Sequence, residues 1–177
     1  MLAKAGIDIF NSKLEGGTAR VGIRKLAESF GMQKAGFDAA ALAYRIAPRI
    51  NAAGRMGSAE RALKLLLTND ESEALQLCEE INEANALRQA TESEIAEAAK
   101  EKIEHDPKIK HSKVIVVDGT GWHQGVIGIV ASRICDEYGK PCIVISRDGE
   151  NANSALLVDV NTTDFPEEDG VLAGAEF

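Results

Sequence analysis

Two glycine-bearing segments hold most of the side chains in this sequence that could do chemistry. The first, Ala47-Pro48-Arg49-Ile50-Asn51-Ala52-Ala53-Gly54-Arg55-Met56-Gly57-Ser58, sets two arginines, an asparagine and two glycines ahead of a helix start. It reads as a loop opening onto a helix N-terminus. Glycine lets a backbone come close to a ligand, helix N-terminal amides attract anions, and arginine offers paired donors to phosphate or carboxylate. Arg49, Asn51 and Arg55 are therefore candidate ligands for an anion. The alternative is a structural loop whose arginines pair with the chain's own acidic side chains, and residue types alone leave both readings open.

The second segment runs from Asp118-Gly119-Thr120-Gly121-Trp122-His123-Gln124-Gly125 into Val126-Ile127-Gly128-Ile129-Val130-Ala131-Ser132-Arg133. It is a glycine-rich strand-to-helix turn, the usual place for ligands in an open α/β sheet. Gly125 and Gly128 would let a helix lie close on a strand. Trp122 and His123 at the tip could stack on a base or sugar. On the structural alternative, Trp122 plugs the core edge and His123 satisfies a local hydrogen bond. The glycine spacing fits neither a dinucleotide fingerprint nor a P-loop.

A metal centre or a nucleophile finds little support. His105, His111 and His123 are not spaced as ligand pairs, and no paired carboxylates stand out for acid/base work. No catalytic and no metal-binding residue is assigned.

The elements that must position the two segments can be read from apolar spacing. Residues 2–14 and 20–30 have helical periodicity, with Gly31 as a C-terminal cap for the second. Asp38 caps a short helix through Arg45, and Pro48 marks its end. Ser58 caps a helix over 59–67. From about Glu71 to Glu104 the chain reads as one long helix without Gly or Pro, spanning about 50 Å at the usual rise, with Leu75, Cys78, Ile81, Asn85, Leu87, Ile95, Ala98 and Ile103 near one stripe. Its Glu-rich face is solvated. Val114–Val117 and Cys142–Ile145 are short buried strands flanking a loop from Gly119 to Gly125 and a helix over 126–138, which makes a β–α–β crossover with parallel strands. A short strand over 155–160 is a further expectation, and residues after Arg147 are turn-rich and then acidic.

Composition sets the bounds. The chain has 177 residues, 45% hydrophobic but only 5% aromatic, so aliphatic side chains build an α/β core. The formal net charge of −8 argues against broad coating of a phosphate backbone without excluding one local arginine cluster. Cys78, Cys135 and Cys142 have no paired spacing and read as buried free thiols. No apolar run suits a membrane, and the chain reads as cytoplasmic.

Three stretches, in order, resemble the RecJ-type single-stranded-DNA-specific exonucleases of the DHH phosphoesterase superfamily. They are Ala47-Pro48-Arg49-Ile50-Asn51-Ala52-Ala53-Gly54-Arg55, Asn82-Glu83-Ala84-Asn85-Ala86-Leu87-Arg88-Gln89, and Gly121 through Ile134. The resemblance covers roughly residues 3–149 and reads as an interior piece of such an enzyme. It implies the helical end of a DHH lobe at 1–70, a long interdomain helix and linker at 71–111, the start of a DHH-associated lobe at 112–149, and a divergent or disordered tail at 150–177. It also implies a parent enzyme that degrades single-stranded DNA from its 5′ end in repair and recombination, with Mn²⁺ or Mg²⁺ activating the attacking water. Arg55, with Arg49 and Asn51, would then face the DNA-end phosphate, and His123 with the amides around Gly125 would face it from the second lobe.

The family's metal-binding Asp and His motifs are not in this sequence. Its GSGRS-type loop is replaced by Glu150-Asn151-Ala152-Asn153-Ser154. The chain alone is therefore expected to hold no metal and to be inactive, and its exposed surfaces could self-associate. Two rival readings are a non-catalytic module binding single-stranded nucleic acid or a partner protein, and a DHH-type nanoRNase or nucleotide phosphatase.

Overall fold

A computed structural model describes residues 2–15, 19–29, 31, 38–148 and 151–155. They form α1 (Leu2–Glu15), α2 (Val21–Glu28), α3 (Ala39–Ala41), a π-turn (Leu42–Ile46), α4 (Ala47–Arg55), α5 (Glu60–Leu67), α6 (Glu71–His105), α7 (Pro107–His111), β1 (Ile115–Thr120), α8 (Gln124–Tyr138), β2 (Cys142–Asp148) and β3 (Asn151–Ala155). Contacts divide the chain into two units. The first holds residues 1–97 together with 123–126, and the second holds 98–122 and 127–177.

In the first unit, Leu26, Ala53, Ala62, Leu65, Ala74, Leu77, Cys78 and Ile81 form one buried cluster, with Val21, Ile46 and Ile50 against it. Close approach of α2 to α5 requires Gly22, where a Cβ would lie 1.6 Å from the Leu65 carbonyl oxygen. Helix α2 ends ahead of Gly31, whose φ of 66° suits glycine. Arg24 closes the same region with an ion pair to Glu71 at 2.6 Å. Asp70 Oδ1 accepts from the Glu73 amide at 2.8 Å and so caps α6.

Helix α6 is the long helix the periodicity predicts, and Cys78, Ile81, Asn85, Ile95 and Ile103 of the expected stripe are buried. Ala74, Leu77, Cys78, Ile81, Ala84 and Asn85 are buried, whereas Leu75 and Leu87 are half exposed. The buried positions keep the i, i+3/i+4, i+7 spacing of one helix face, and Leu75 and Leu87 fall off it. Arg88 pairs with Glu92 at 2.5 Å on the same helix.

A second difference concerns Pro48. Asp38 caps the short helix as expected, accepting from the Ala41 amide at 2.6 Å, yet Pro48 does not end the helical run. The π-turn sends the Ala47 amide to the Leu42 carbonyl, and Pro48 then sits in the first turn of α4, where a missing N–H costs nothing. Residues 47–55 are therefore helix rather than loop. The following stop is brief: the Glu60 amide donates to Ser58 Oγ at 3.1 Å, and α5 begins.

In the second unit, β1 and β2 pair in parallel, Ile115 opposite Cys142 through Thr120 opposite Arg147. β3 pairs antiparallel with β2, giving the order β1-β2-β3. The β–α–β expectation holds. β1 extends to Thr120, so Gly119 is strand rather than loop. The strand expected at 155–160 lies mostly outside the described residues, as does the expected tail apart from β3. Ile115, Val117, Val130, Ile134, Cys142 and Val144 are fully buried. Asp106 caps α7. Tyr138 donates to Glu104 at 3.0 Å. Burial and that carboxylate raise its phenol to about 12.

Two predictions follow from this packing. Gly22→Ala should lower the unfolding free energy by about 3 kcal/mol, the upper range for overpacking against backbone. Gly6→Ala on α1, where a Cβ meets nothing within 4 Å, should stabilise by about 0.5–1 kcal/mol. Urea midpoints of both variants check the opposite signs. Tyr138 ionises more readily unfolded than folded, so its contribution is complete below pH 10 and is lost as pH rises from 10 towards 12. In alkaline unfolding curves, Tyr138→Phe should flatten that limb.

Candidate nucleic-acid interface

Helix α4 presents its arginines differently from a loop. Arg49 is half-buried: Nε donates to Asn82 Oδ1 on α6 at 2.9 Å, and Nη1 donates to the Arg45 carbonyl at 2.7 Å. Burial, with the charge of Arg45 close by, lowers its pKa from the ordinary arginine value. Arg49 thus fastens α4 to α6. Asn51, two residues on and on another face of the helix, is exposed.

Arg55 closes the last turn of α4 and makes two contacts with Gly125, which lies in the same unit. Nη1 donates to the Gly125 carbonyl at 2.9 Å. The Arg55 carbonyl oxygen stands 2.2 Å from where a Cβ on Gly125 would be. Gly125 therefore serves a close approach, but to the backbone of α4 rather than to a strand, and from the first turn of α8 rather than from a loop. His123 Nδ1 accepts from the Gly125 amide at 3.1 Å, and the His123 carbonyl accepts from the Val126 amide at 2.9 Å. His123 thereby caps the start of α8.

An open depression of about 540 Å³ lies beside Arg55, lined by Ile50, Asn51, Gly54, Arg55, Ala59, Ala62, Leu63 and Leu66. Its lining is mostly apolar, and Asn51 and Arg55 are the polar residues in it. Among the described residues, Arg55 bonds a carbonyl and no carboxylate. It is not ion-paired there, in contrast to Arg24, Arg88 and Arg147, which pair with Glu71, Glu92 and Asp118. Such a set of residues can hold an anion attached to a flat apolar group.

Trp122 belongs to the second unit. Its indole lies against Gly119, where a Cβ would be 2.0 Å from the ring. Lys102 Nζ stands over the indole, 5.6 Å from a ring centroid. The Trp122 carbonyl accepts from Ser146 Oγ at 2.5 Å. Lys102, Ser146 and Arg147 were not found by reading the sequence, because strand pairing and helix packing bring them to the turn around Trp122 from distant positions without a shared motif, whereas Asp118 lies in the segment itself. The structure thus brings Asn51, Arg55, His123 and Gly125 into one unit, with Arg49 buttressing behind them and Trp122 in the other.

The metal chemistry that the resemblance implies has no holder here. Among the described residues, no three His, Cys, Asp or Glu side chains converge. His105 Nδ1 and His111 Nδ1 bond the carbonyls of Glu101 and Pro107. The cysteines are buried, and burial raises Cys78 to about 11 and Cys142 to about 12. The donor set does not fit a divalent-ion centre, and no step is derived through one. No described helix is long and apolar enough to cross a membrane.

No family model matches the chain. It is 44% identical over 129 residues to the single-stranded-DNA-specific exonuclease RecJ of Thermus thermophilus, covering 72% of this chain and 18% of that protein. The RecJ proteins of Bacillus subtilis and Escherichia coli are 35% and 31% identical, over 75% and 78% of this chain and 17% and 24% of theirs. The chain therefore spans about a fifth of the length of these curated relatives. Its backbone is similar to that of Thermus thermophilus RecJ in complex with Mg²⁺, with a TM-score of 0.63 at 41% identity over 75% of this chain and 20% of that one. An exonuclease RecJ bound to manganese gives a TM-score of 0.64 at 38% identity over 82% of this chain and 35% of that one.

The contact between α4 and Gly125 generates a sharp expectation. Gly125→Ala should force the Arg55 carbonyl away and speed amide hydrogen exchange at residues 53–57 and 123–126 by about tenfold or more, a cost of at least about 1.4 kcal/mol. Exchange rates equal to wild type in both stretches would show that the two backbones are not held together.

Proposed function

We propose, from the chain's homology to an interior segment of the RecJ-type exonucleases, that it supplies the strand-end-binding elements of a single-stranded-DNA exonuclease. The parent activity is hydrolysis of phosphodiesters from the 5′ end, in DNA repair and recombination, with a divalent metal held by residues other than those described. The observation that carries this reading is the guanidinium of Arg55, a residue that lines the open depression. It is held by a carbonyl rather than neutralised by a carboxylate. A terminal phosphate is the natural ligand for a guanidinium that keeps its charge and has donors to spare. The apolar lining from Ile50 to Leu66 offers a surface for the adjoining sugar or base. The acidic balance of the chain does not oppose this, because one terminal phosphate needs one local cation rather than a basic face. The buried free thiols and the absence of any described membrane-length helix support a cytoplasmic setting.

Titration with short single-stranded oligonucleotides, with and without a 5′ phosphate, tests the reading. Wild type should prefer the phosphorylated strand, and Arg55→Ala should lose about tenfold in affinity for it while changing little for the unphosphorylated one. Equal affinity for both strands in wild type would sink the end pocket and favour a binding module without end recognition. The chain alone should show no Mn²⁺-dependent turnover of the same substrate, and specific cleavage abolished by a chelator would overturn that expectation.

A further inference from the structure

The turn that leads into His123 is tied at several points, all within the second unit. Gly121, with a φ of 71°, donates its amide to the Arg147 carbonyl at 3.0 Å. Ser146 Oγ donates to the Trp122 carbonyl. Arg147 pairs with Asp118 at 2.9 Å. Lys102, on α6, does two things at once. Its ammonium donates to the Asp118 carbonyl, and it stands over the Trp122 indole within the range of a cation–π contact. The indole in turn lies where a side chain on residue 119 would have to be, so that Gly119 and Lys102 together define the seat of the ring.

We propose that Lys102 is a positioning residue for the turn Gly121–His123, acting through Trp122. The backbone bonds fix the turn's path at β1 and β2, but they leave the indole free to rotate about its side-chain bonds. A cation bonded to the Asp118 carbonyl selects the rotamer that lies on Gly119. With the ring seated, the chain leaves Trp122 in one direction and delivers His123 to its capping role at the start of α8. The assignment deepens the strand-end reading and, in its binding consequence, rests on it. In that consequence, the influence of Lys102 would run through the turn.

The sequence contains a single tryptophan, so intrinsic fluorescence reports this seat directly. In the full chain, Lys102→Met and Lys102→Gln should red-shift the Trp122 emission and increase its quenching by acrylamide. Lys102→Arg, which keeps a cation over the ring, should stay at wild-type values. Far-UV circular dichroism confirms that each variant is folded. The two neutral variants should also bind a 5′-phosphorylated oligonucleotide about fivefold more weakly, with Lys102→Arg restoring affinity. Unchanged emission and quenching in folded Lys102→Met and Lys102→Gln would overturn the proposal. So would a loss of the Trp122 signature in Lys102→Arg equal to that in the neutral variants. Should wild type bind no oligonucleotide, the strand-end reading fails alone, and the fluorescence comparison still decides the role of Lys102.

Discussion

At Gly125 one backbone meets another, and no side chain fits between them. The Arg55 carbonyl occupies the space a Cβ would take, and the same arginine's guanidinium returns to the Gly125 carbonyl. A main-chain contact of this kind tolerates little adjustment, because it cannot be relieved by a rotamer change. It fixes where the C-terminal turn of α4 lies relative to the first turn of α8. It also aims the remaining Arg55 donors, and it leaves His123 close enough to Gly125 to accept its amide.

The arginines divide by what neutralises them. Arg24 and Arg88 are spent on carboxylates and hold helices, and Arg49 is spent on Asn82 and a carbonyl while losing solvent. A hydrogen bond to a carbonyl orients a guanidinium without cancelling its charge, whereas a carboxylate does both. Of Arg49, Asn51 and Arg55, the first is thus a buttress, and the other two line the open depression. The structural reading, equal to the anion reading from residue types alone, describes Arg49, whereas Arg55 pairs with no carboxylate among the described residues.

The long helix and the β–α–β unit were legible because their signals are local. Period 3.6 without Gly or Pro carries α6, and two short aliphatic runs around a helix carry the parallel strands. The errors came where geometry departs from the local rule. Pro48 would end an ordinary helix, but a π-turn just before it removes the need for its amide and puts Arg49, Asn51 and Arg55 within a helix, with Arg49 on a different face from the other two. Leu75 and Leu87 look like core by residue type, yet the neighbours of Leu75 at Ala74 and Cys78 set the buried face. Gly125 was recognised as a close-approach position, but a sequence does not say what approaches it. The seat of Trp122 is only partly local, since Gly119 lies three positions earlier but Lys102 lies twenty earlier and Arg147 twenty-five later.

A turn that carries an aromatic and a histidine is usually read as a pair of contacts for one ligand. Here the two side chains have separate duties before any ligand arrives. The indole is seated on Gly119 beneath Lys102, and the imidazole caps a helix start. Each is thereby held by its own neighbours, the ring by side-chain packing and the imidazole by a backbone amide. Two residues past His123, Gly125 accepts in turn from the Arg55 guanidinium, so that one short stretch of chain meets two separate constraints.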